Sequence, residues 1–418
     1  MSIKKLLCAA GALAFAACSE PTEPRTADAD SQKVDALLWP GVQPDLVVAS
    51  LAHSPTSPDS RDVITFAAVV QNIGLGAAGP STLEFRIGGE TPGSPATRFA
   101  IPSLISGQKF VVKRQMTLIA QNYRNTATAD VNNNVPETNE ANNLRTDDYT
   151  VTLAERIAFT RNQGGNWEIY AMKPDGTGVT QLTYNPTDDY APAWKPGGSK
   201  IAFVRWGNGN NQIYVMNYPP DGTAATPLTY GADPAWSPDG SKIAFTSANY
   251  SVDSQGEIYV MNADGTGVPT RLTYTSGYDG EPAWSPDGTK IAFTSFRDGD
   301  YRVYVMNATD GSGVTRRTSI TSFLPAWKPD GSKIAFSSGD DLTSEIYLMN
   351  PDGTGVSRLM SGFADLAWSR GGSKIAYVNH CYSSDCEVYV ANADGSGAVN
   401  RSNNQVYDGQ PDWALMRP

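Results

Sequence analysis

Two histidines and four cysteines are all the imidazole and thiol chemistry this sequence holds. Cys381 and Cys386 sit in one short segment, directly after His380. Two thiols and one imidazole lack a fourth protein ligand for tetrahedral zinc. A disulfide closing a small loop in an oxidising compartment is the reading expected instead. Such a closure contributes roughly 2 kcal/mol, enough to staple a loop but not to hold a fold. His53 and His380 fall in different parts of the chain, and no Gly-x-Ser-x-Gly occurs. Nucleophilic hydrolysis therefore has no visible machinery, and neither a catalytic residue nor a metal-binding set is expected. Calcium is the one ion the sequence leaves open. The stretch Asp130–Asn143 offers carboxylate and amide oxygens of the kind a hard cation takes. It lacks the regular spacing of an EF-hand loop, and the same residues could simply end a strand and supply turns.

Binding chemistry is more visible than catalysis. Between repeated strands in the second half lie Asp189-Tyr190, Asp233, Tyr278-Asp279, Phe323, Phe363, Asp365 and Tyr407-Asp408. Trp167, Trp206, Tyr250, Phe296 and Tyr301 fall in other loops. Together they suggest an acidic rim with aromatic rings, suited to a basic peptide or protein, or to a glycan stacking on the rings. Taken singly, each Asp could equally cap a turn and each ring could pack between strands.

Composition narrows the partners. There are 32 basic and 43 acidic residues, a net charge of −11, with a pI near 4.8. Nucleic acid and an anionic membrane face both want a basic surface, so neither is expected as the main partner. With 40% apolar and 18% charged residues the chain is globular, and 418 residues call for more than one folding unit.

The N-terminus has the pattern of a targeting segment. Met1–Lys5 is positive and Leu6–Ala17 is apolar, too short to span a bilayer as a helix. Phe15-Ala16-Ala17-Cys18 resembles the lipobox of bacterial lipoproteins, which implies cleavage after residue 17 and a lipid on Cys18. The alternative is an ordinary secretory signal cut near Ala14-Phe15-Ala16. Ser19 after the cysteine implies, by the same resemblance, an outer membrane lipoprotein facing the periplasm or the cell surface. A lipid anchor would be the only membrane contact. Residues 18–43 lack a hydrophobic period and read as a flexible tether.

The fold class is all-β. Residues 44–153 hold short apolar runs separated by Gly, Pro and Asn clusters. Leu46–Ala49, Val63–Val70, Thr82–Ile87, Phe110–Leu118, Thr126–Val131 and Tyr149–Leu153 are candidate strands of an Ig-like β-sandwich of about seven strands. Val69-Val70-Gln71-Asn72-Ile73-Gly74, Ala77-Ala78-Gly79-Pro80-Ser81 and the Asp130–Asn143 stretch resemble the adhesion-related CARDB domain. That resemblance implies an extracytoplasmic spacer or binding module and no reaction.

Residues 154–418 repeat. Ile-Ala-Phe or its equivalent begins at Ile157, Ile201, Ile243, Ile291, Ile334 and Ile375, at intervals of 44, 42, 48, 43 and 41 residues. A tryptophan recurs at Trp194, Trp236, Trp284, Trp327, Trp368 and Trp413, and an Asp-Gly turn follows each Tyr-bearing strand. Four short strands per period of this length mark a β-propeller blade. The first triplet has no Trp strand before it and the last Trp has no triplet after it. A six-bladed propeller closed by the C-terminal strand is therefore expected, with the segment around Trp413 joining the blade of Ile157. The tryptophans read as core. Pro234–Phe245, PAWSPDGSKIAF, resembles the TolB propeller repeat. The resemblance departs upstream, where TolB proteins carry an α/β domain instead of a sandwich. It implies an envelope interaction scaffold without implying a part in the Tol-Pal system. A propeller-based hydrolase or lyase is the least expected reading.

Overall fold

The computed structural model describes residues 42–88, 96–152, 154–207, 209–221, 224–247, 255–339, 344–379 and 386–416. The signal segment with Cys18, all but the end of the tether, and Leu153, Tyr250, His380 and Cys381 lie outside these residues. Cys386 is buried and disulfide-bonded. Among the described residues no helix is long and apolar enough to cross a membrane.

The first half is a sandwich of two antiparallel sheets. Its strands are β1 (Leu46–Ser54), β2 (Ile64–Asn72), β3 (Ser81–Arg86), β4 (Ala96–Ile101), β5 (Lys109–Met116), β6 (Gln121–Thr128) and β7 (Leu144–Val151). One sheet runs β1-β2-β5 and the other β4-β3-β6-β7. Period-two burial fixes which face turns inward. On β2, Ile64, Phe66, Ala68, Val70 and Asn72 are all buried. They meet Leu83, Phe85 and Tyr123 from the opposite sheet.

Asn72 is a buried polar side chain with every bond made. Its Oδ1 accepts from Asp45 N (3.1 Å) and Gly74 N (3.0 Å), and its Nδ2 donates to Gly76 O (2.7 Å) and Leu104 O (2.9 Å). A fully satisfied network of this kind fixes the strand ends at little cost. Gly76 is required beside it, because a Cβ there would stand 2.3 Å from Val42 O.

Two expected strands are corrected. The segment Thr126–Val131 does not continue as a strand: β6 ends at Thr128, and Asp130 takes a left-handed φ of 43°. Of Tyr149–Leu153, only Tyr149–Val151 lies in a strand, as the end of the longer β7, and Leu153 is outside the described residues. The strand β4 escapes sequence inspection because alanines on its outward face blur the alternation and only Ile101 is buried.

In the second half the described residues form six four-stranded antiparallel sheets. Their innermost strands are Asp189–Trp194, Ala232–Trp236, Asp279–Trp284, Phe323–Trp327, Phe363–Trp368 and Asp408–Leu415. The last of these pairs with Glu155–Gln163, Trp413 opposite Ile157, so one sheet draws strands from both ends of this half. Each inner strand packs beside the next, and Asp408–Leu415 packs beside both Phe363–Trp368 and Asp189–Trp194. We call these sheets blades one to six, starting from the one that holds Ile157.

The Ile-Ala-Phe triplets are buried as unbroken runs, whereas a half-buried strand would alternate. A blade is covered on both faces by its neighbours, so its second strand has no solvent side. Tryptophans tie blade to blade. The Trp236 indole N–H donates to Ala193 O (3.0 Å), Trp284 to Ala235 O (3.1 Å) and Trp368 to Ala326 O (3.3 Å).

The two halves are joined by ion pairs beside the short boundary. Arg156 donates to Asp59 (2.9 Å) and Lys173 to Asp62 (2.7 Å), all four side chains being largely covered.

Candidate functional site

The narrow end of a propeller is where six inner strands converge, and the local backbone here is unusual. Every inner strand carries a register shift next to its third or fourth residue. Five of the residues at this bulge have positive φ without being glycine: Ala191 (49°), Asp233 (50°), Glu281 (56°), Leu324 (52°) and Gln410 (50°). Left-handed backbone costs an ordinary residue roughly 1–2 kcal/mol. Repetition at one structural position means that the fold imposes it. Bulges of this kind re-aim a side chain. These residues, with Asp365 in the sixth blade and the residue after each, line one funnel of about 160 Å³ on the central axis. That is room for roughly five waters or one side chain.

Three of the six lining positions are acidic. Thr246 Oγ1 donates to Asp233 (2.9 Å), and Thr294 Oγ1 (2.6 Å) and Leu324 N (2.9 Å) donate to Glu281. Gln410 Oε1 accepts from Thr160 Oγ1 (3.0 Å) and from Ala191 N (2.9 Å). Acceptors of one blade thus take the bulge N–H of the next, which holds the ring of lining groups in place. Among the described residues none of Asp233, Glu281 and Asp365 is ion-paired. Burial, and then the neighbouring Asp233 charge, pushes both Glu281 and Asp365 up to about 7. Burial also raises Asp233.

This geometry has a consequence for stability. A carboxyl group raised from its ordinary value is favoured in its protonated form by the fold. Its stabilising contribution is full below the unfolded value near 4 and is lost as pH climbs through about 7. Glu281→Gln mimics the protonated form. It is expected to raise Tm at pH 8 by a few degrees, corresponding to at most about 2 kcal/mol. The gain should vanish near pH 5, as thermal melts across that range would show.

The acidic rim expected from sequence is only partly present. Asp189, Asp279 and Asp408 are fully buried. Arg205 holds Asp189 in a two-pronged pair (2.7 and 2.7 Å), Arg161 holds Asp408 likewise (2.6 and 2.7 Å), and Arg297 reaches Asp279 (2.8 Å). Each guanidinium also lies over two rings of its own blade, as Arg205 does over Phe203 (5.4 Å) and Tyr214 (4.6 Å). These three carboxylates are neutralised struts inside the blades. They are not open anions, because each sits at the head of an inner strand, under the arginine that follows the triplet.

The rim aromatics divide. Tyr190 donates to Asn211 (2.5 Å), Tyr407 packs edge-on against Trp167 (4.6 Å), and Tyr278 packs edge-on against Tyr301 (6.1 Å). Phe323 is half-buried in its strand. Burial pushes Tyr407 up to about 12 and raises Tyr278. Trp206, Phe296 and Tyr301 remain substantially exposed, as do Tyr230 at the end of an outer strand and Tyr184 and Tyr274 just beyond theirs. Strand register puts all of these at the end of the blades where the paired Asp–Arg struts lie. A larger open groove of about 560 Å³ lies at the opposite end, between blades three and four. Its Pro-Asp-Gly and Asp-Gly turn residues recur in other blades and offer no distinct chemistry.

Glu281 and Gln410 were not among the residues expected from sequence. Their signal was available: each precedes the proline of a Pro-x-Trp element, and that position alone differs in every copy, as Ala191, Asp233, Glu281, Leu324 and Gln410.

Comparison with known proteins agrees with the fold. Residues 43–147 match the CARDB family model, and residues 229–322 match the model described as TolB beta propeller domain. A protein TolB homolog of Chlorobium luteolum is 31% identical over 164 residues, covering 39% of this chain and 36% of the relative. A Tol-Pal system protein TolB of Bordetella avium is 34% identical over 127 residues, covering 30% and 29%. The chain thus spans about a third of the length of the curated relatives it matches. Among solved structures, TolB from Acinetobacter baumannii superposes with a TM-score of 0.57 at 20% identity, covering 71% of this chain and 82% of the other. A chain of a nidogen/laminin complex gives 0.51 at 14% identity, covering 63% and 100%. At these identities the superpositions speak for the fold alone.

Proposed function

We propose that this chain, a CARDB domain followed by a TolB-like propeller, is a non-catalytic interaction scaffold of the cell envelope. Its propeller receives a basic side chain of a protein partner at the axial funnel. One observation carries the reading: Asp233, Glu281 and Asp365 converge on a space the size of one side chain, with no cation among the described residues paired to them. A guanidinium or ammonium group would supply the missing charge and return the carboxyl groups to their ionised form. The exposed aromatics around the same end would hold the flanking segment. Export and a lipid on Cys18 belong to the same proposal. The N-terminal pattern and the matches to proteins named for TolB support it.

The test is calorimetry with short peptides carrying a central Arg or Lys, against the same peptides with Met in its place. Binding is expected only for the cationic series, to weaken at least tenfold in Asp233→Asn/Glu281→Gln/Asp365→Asn, and to strengthen between pH 6 and 8 as the carboxyl groups ionise. Equal binding of the Met peptides would overturn the reading. A glycan partner is the second reading, favoured by the open rings of Tyr184 and Tyr274. It predicts glycan-array signals that the triple variant leaves unchanged and Tyr184→Ala removes.

A further inference from the structure

The loop from Asp130 to Asn143, which the axial funnel does not use, holds an accumulation of polar atoms without partners. Asp130 is 3% exposed and Asn143 is 6% exposed, yet Asp130 Oδ1 and Asn143 Oδ1 accept no hydrogen bond. Asn142 Oδ1 and both carboxylate oxygens of Glu137 are likewise enclosed and without a donor. Five acceptor oxygens on four side chains are therefore cut off from water within one loop.

Three of these groups, on Asp130, Glu137 and Asn143, are neighbours. Asp130 and Glu140 both act electrostatically on Glu137, and the Asn143 side chain and Leu46 N–H lie near its carboxylate without closing a bond of good geometry. The remaining valences are spent on fixing the loop. Asp130 Oδ2 accepts from Val135 N (2.7 Å), Asn142 Nδ2 donates to Asp45 Oδ1 (2.8 Å), and Thr138 N donates to Pro44 O (3.0 Å). Asn139 caps the 3-10 turn Glu140–Asn142, which orients the two asparagines.

Each enclosed oxygen without a donor costs about 1–3 kcal/mol, and native folds tolerate few of them. Five together call for a shared partner that supplies positive charge. Two carboxylates and two amides, with no sulfur or imidazole, are the donor set of a hard cation. Among the described residues no three His, Cys, Asp or Glu side chains are grouped to hold a metal. Here half of the donor side chains are amides.

We infer that Asp130, Glu137, Asn142 and Asn143 form a calcium site at the end of the sandwich where the chain enters β1. The two acidic ligands balance a divalent charge. All-oxygen ligation by carboxylates and amides set on an irregular loop suits calcium better than magnesium, which demands near-octahedral geometry and keeps its waters. Bound calcium joins the loop after β6 to Asp45 and the first residues of the domain.

The experiment uses the full chain, stripped with EDTA, titrated with calcium by calorimetry and followed by thermal melting. One calcium per chain is expected, with a Kd between roughly 10⁻⁶ and 10⁻³ M, and with a rise in the melting temperature of the sandwich. Magnesium at equal concentration should give little of either. Glu137→Gln removes an uncompensated charge, so it is expected to raise the calcium-free melting temperature while weakening calcium at least tenfold. A purely structural Glu137 would not give that pair of opposite effects. Asp130→Asn should weaken calcium similarly. If it fails to fold, terbium luminescence of the parent chain and its displacement by calcium still decide the matter. Absence of both heat and a melting shift up to about 10 mM calcium would overturn the assignment.

Discussion

A chain lacking residues 408–418 is expected to lose the cooperative thermal transition of its second half. Asp408–Leu415 supplies the innermost strand of the blade that holds Ile157. It buries Trp413, Ala414 and, just beyond it, Met416. Covering one tryptophan removes about 150–250 Å² from water, roughly 4–6 kcal/mol at 25 cal/mol/Å². The deletion also uncovers Ile157-Ala158-Phe159 and frees Arg161 from Asp408. Whole domains are stable by only about 5–15 kcal/mol, so these losses together take most of that margin.

The seam between blades six and one repeats contacts found inside the array. Gly176, at a left-handed turn, packs on Arg401 O as Gly353 does on Arg317 O, and Arg401 reaches Asp175 O (3.3 Å) as Arg317 reaches Asp352 O (3.3 Å). Scanning calorimetry of the truncated chain is the check. An unchanged transition would mean that the terminal strand is not part of this blade.

Asp189→Ala is expected to cost about 3 kcal/mol, because it leaves Arg205 mostly covered and without a counter-charge. It also strips Asn185 Nδ2 of its acceptor (2.7 Å). Arg124–Asp148 provides the contrast. Its geometry is as good, at 2.7 and 2.8 Å, but both side chains are more than half exposed. Asp148→Ala should therefore cost far less than Asp189→Ala, because solvent screens the pair. Urea titrations that shift the midpoint at constant slope would measure both. Equal costs would mean that burial does not govern these pairs. Replacing Asp189 and Arg205 together by apolar residues should recover much of the loss, since neither charge is then left buried alone.

These pairs also show what could be read before the structure. An aspartate heads the inner strand only in blades that carry an arginine shortly after the triplet: Asp408 with Arg161, Asp189 with Arg205, Asp279 with Arg297. Counted back five residues from the blade tryptophan, Gly231, Ser322 and Phe363 take that position in the other three. That internal covariation says that the acids are partnered, whereas proximity to loops alone suggested an open rim. The triplets and the tryptophans were legible because burial on both faces writes an unbroken apolar run, and a 41–48 residue period repeats it. The lining of the funnel was harder to see. It depends on a left-handed turn at Asp233, Glu281 and Gln410, and nothing in a glutamate or a glutamine announces positive φ. In the sandwich, Thr126–Val131 looked like one strand because β-branched residues flank the acid. The φ of Asp130 breaks it.

The five left-handed residues around the axis have a wider implication. The peptide kink, and not the identity of the amino acid, carries each side chain to the lumen, since alanine, leucine, glutamine and two acids all occupy equivalent stations. Selectivity can therefore drift one station at a time while the barrel-like wall stays untouched. A lineage could exchange an anionic throat for a greasy or neutral one by single-codon steps, retargeting the same architecture to new clients.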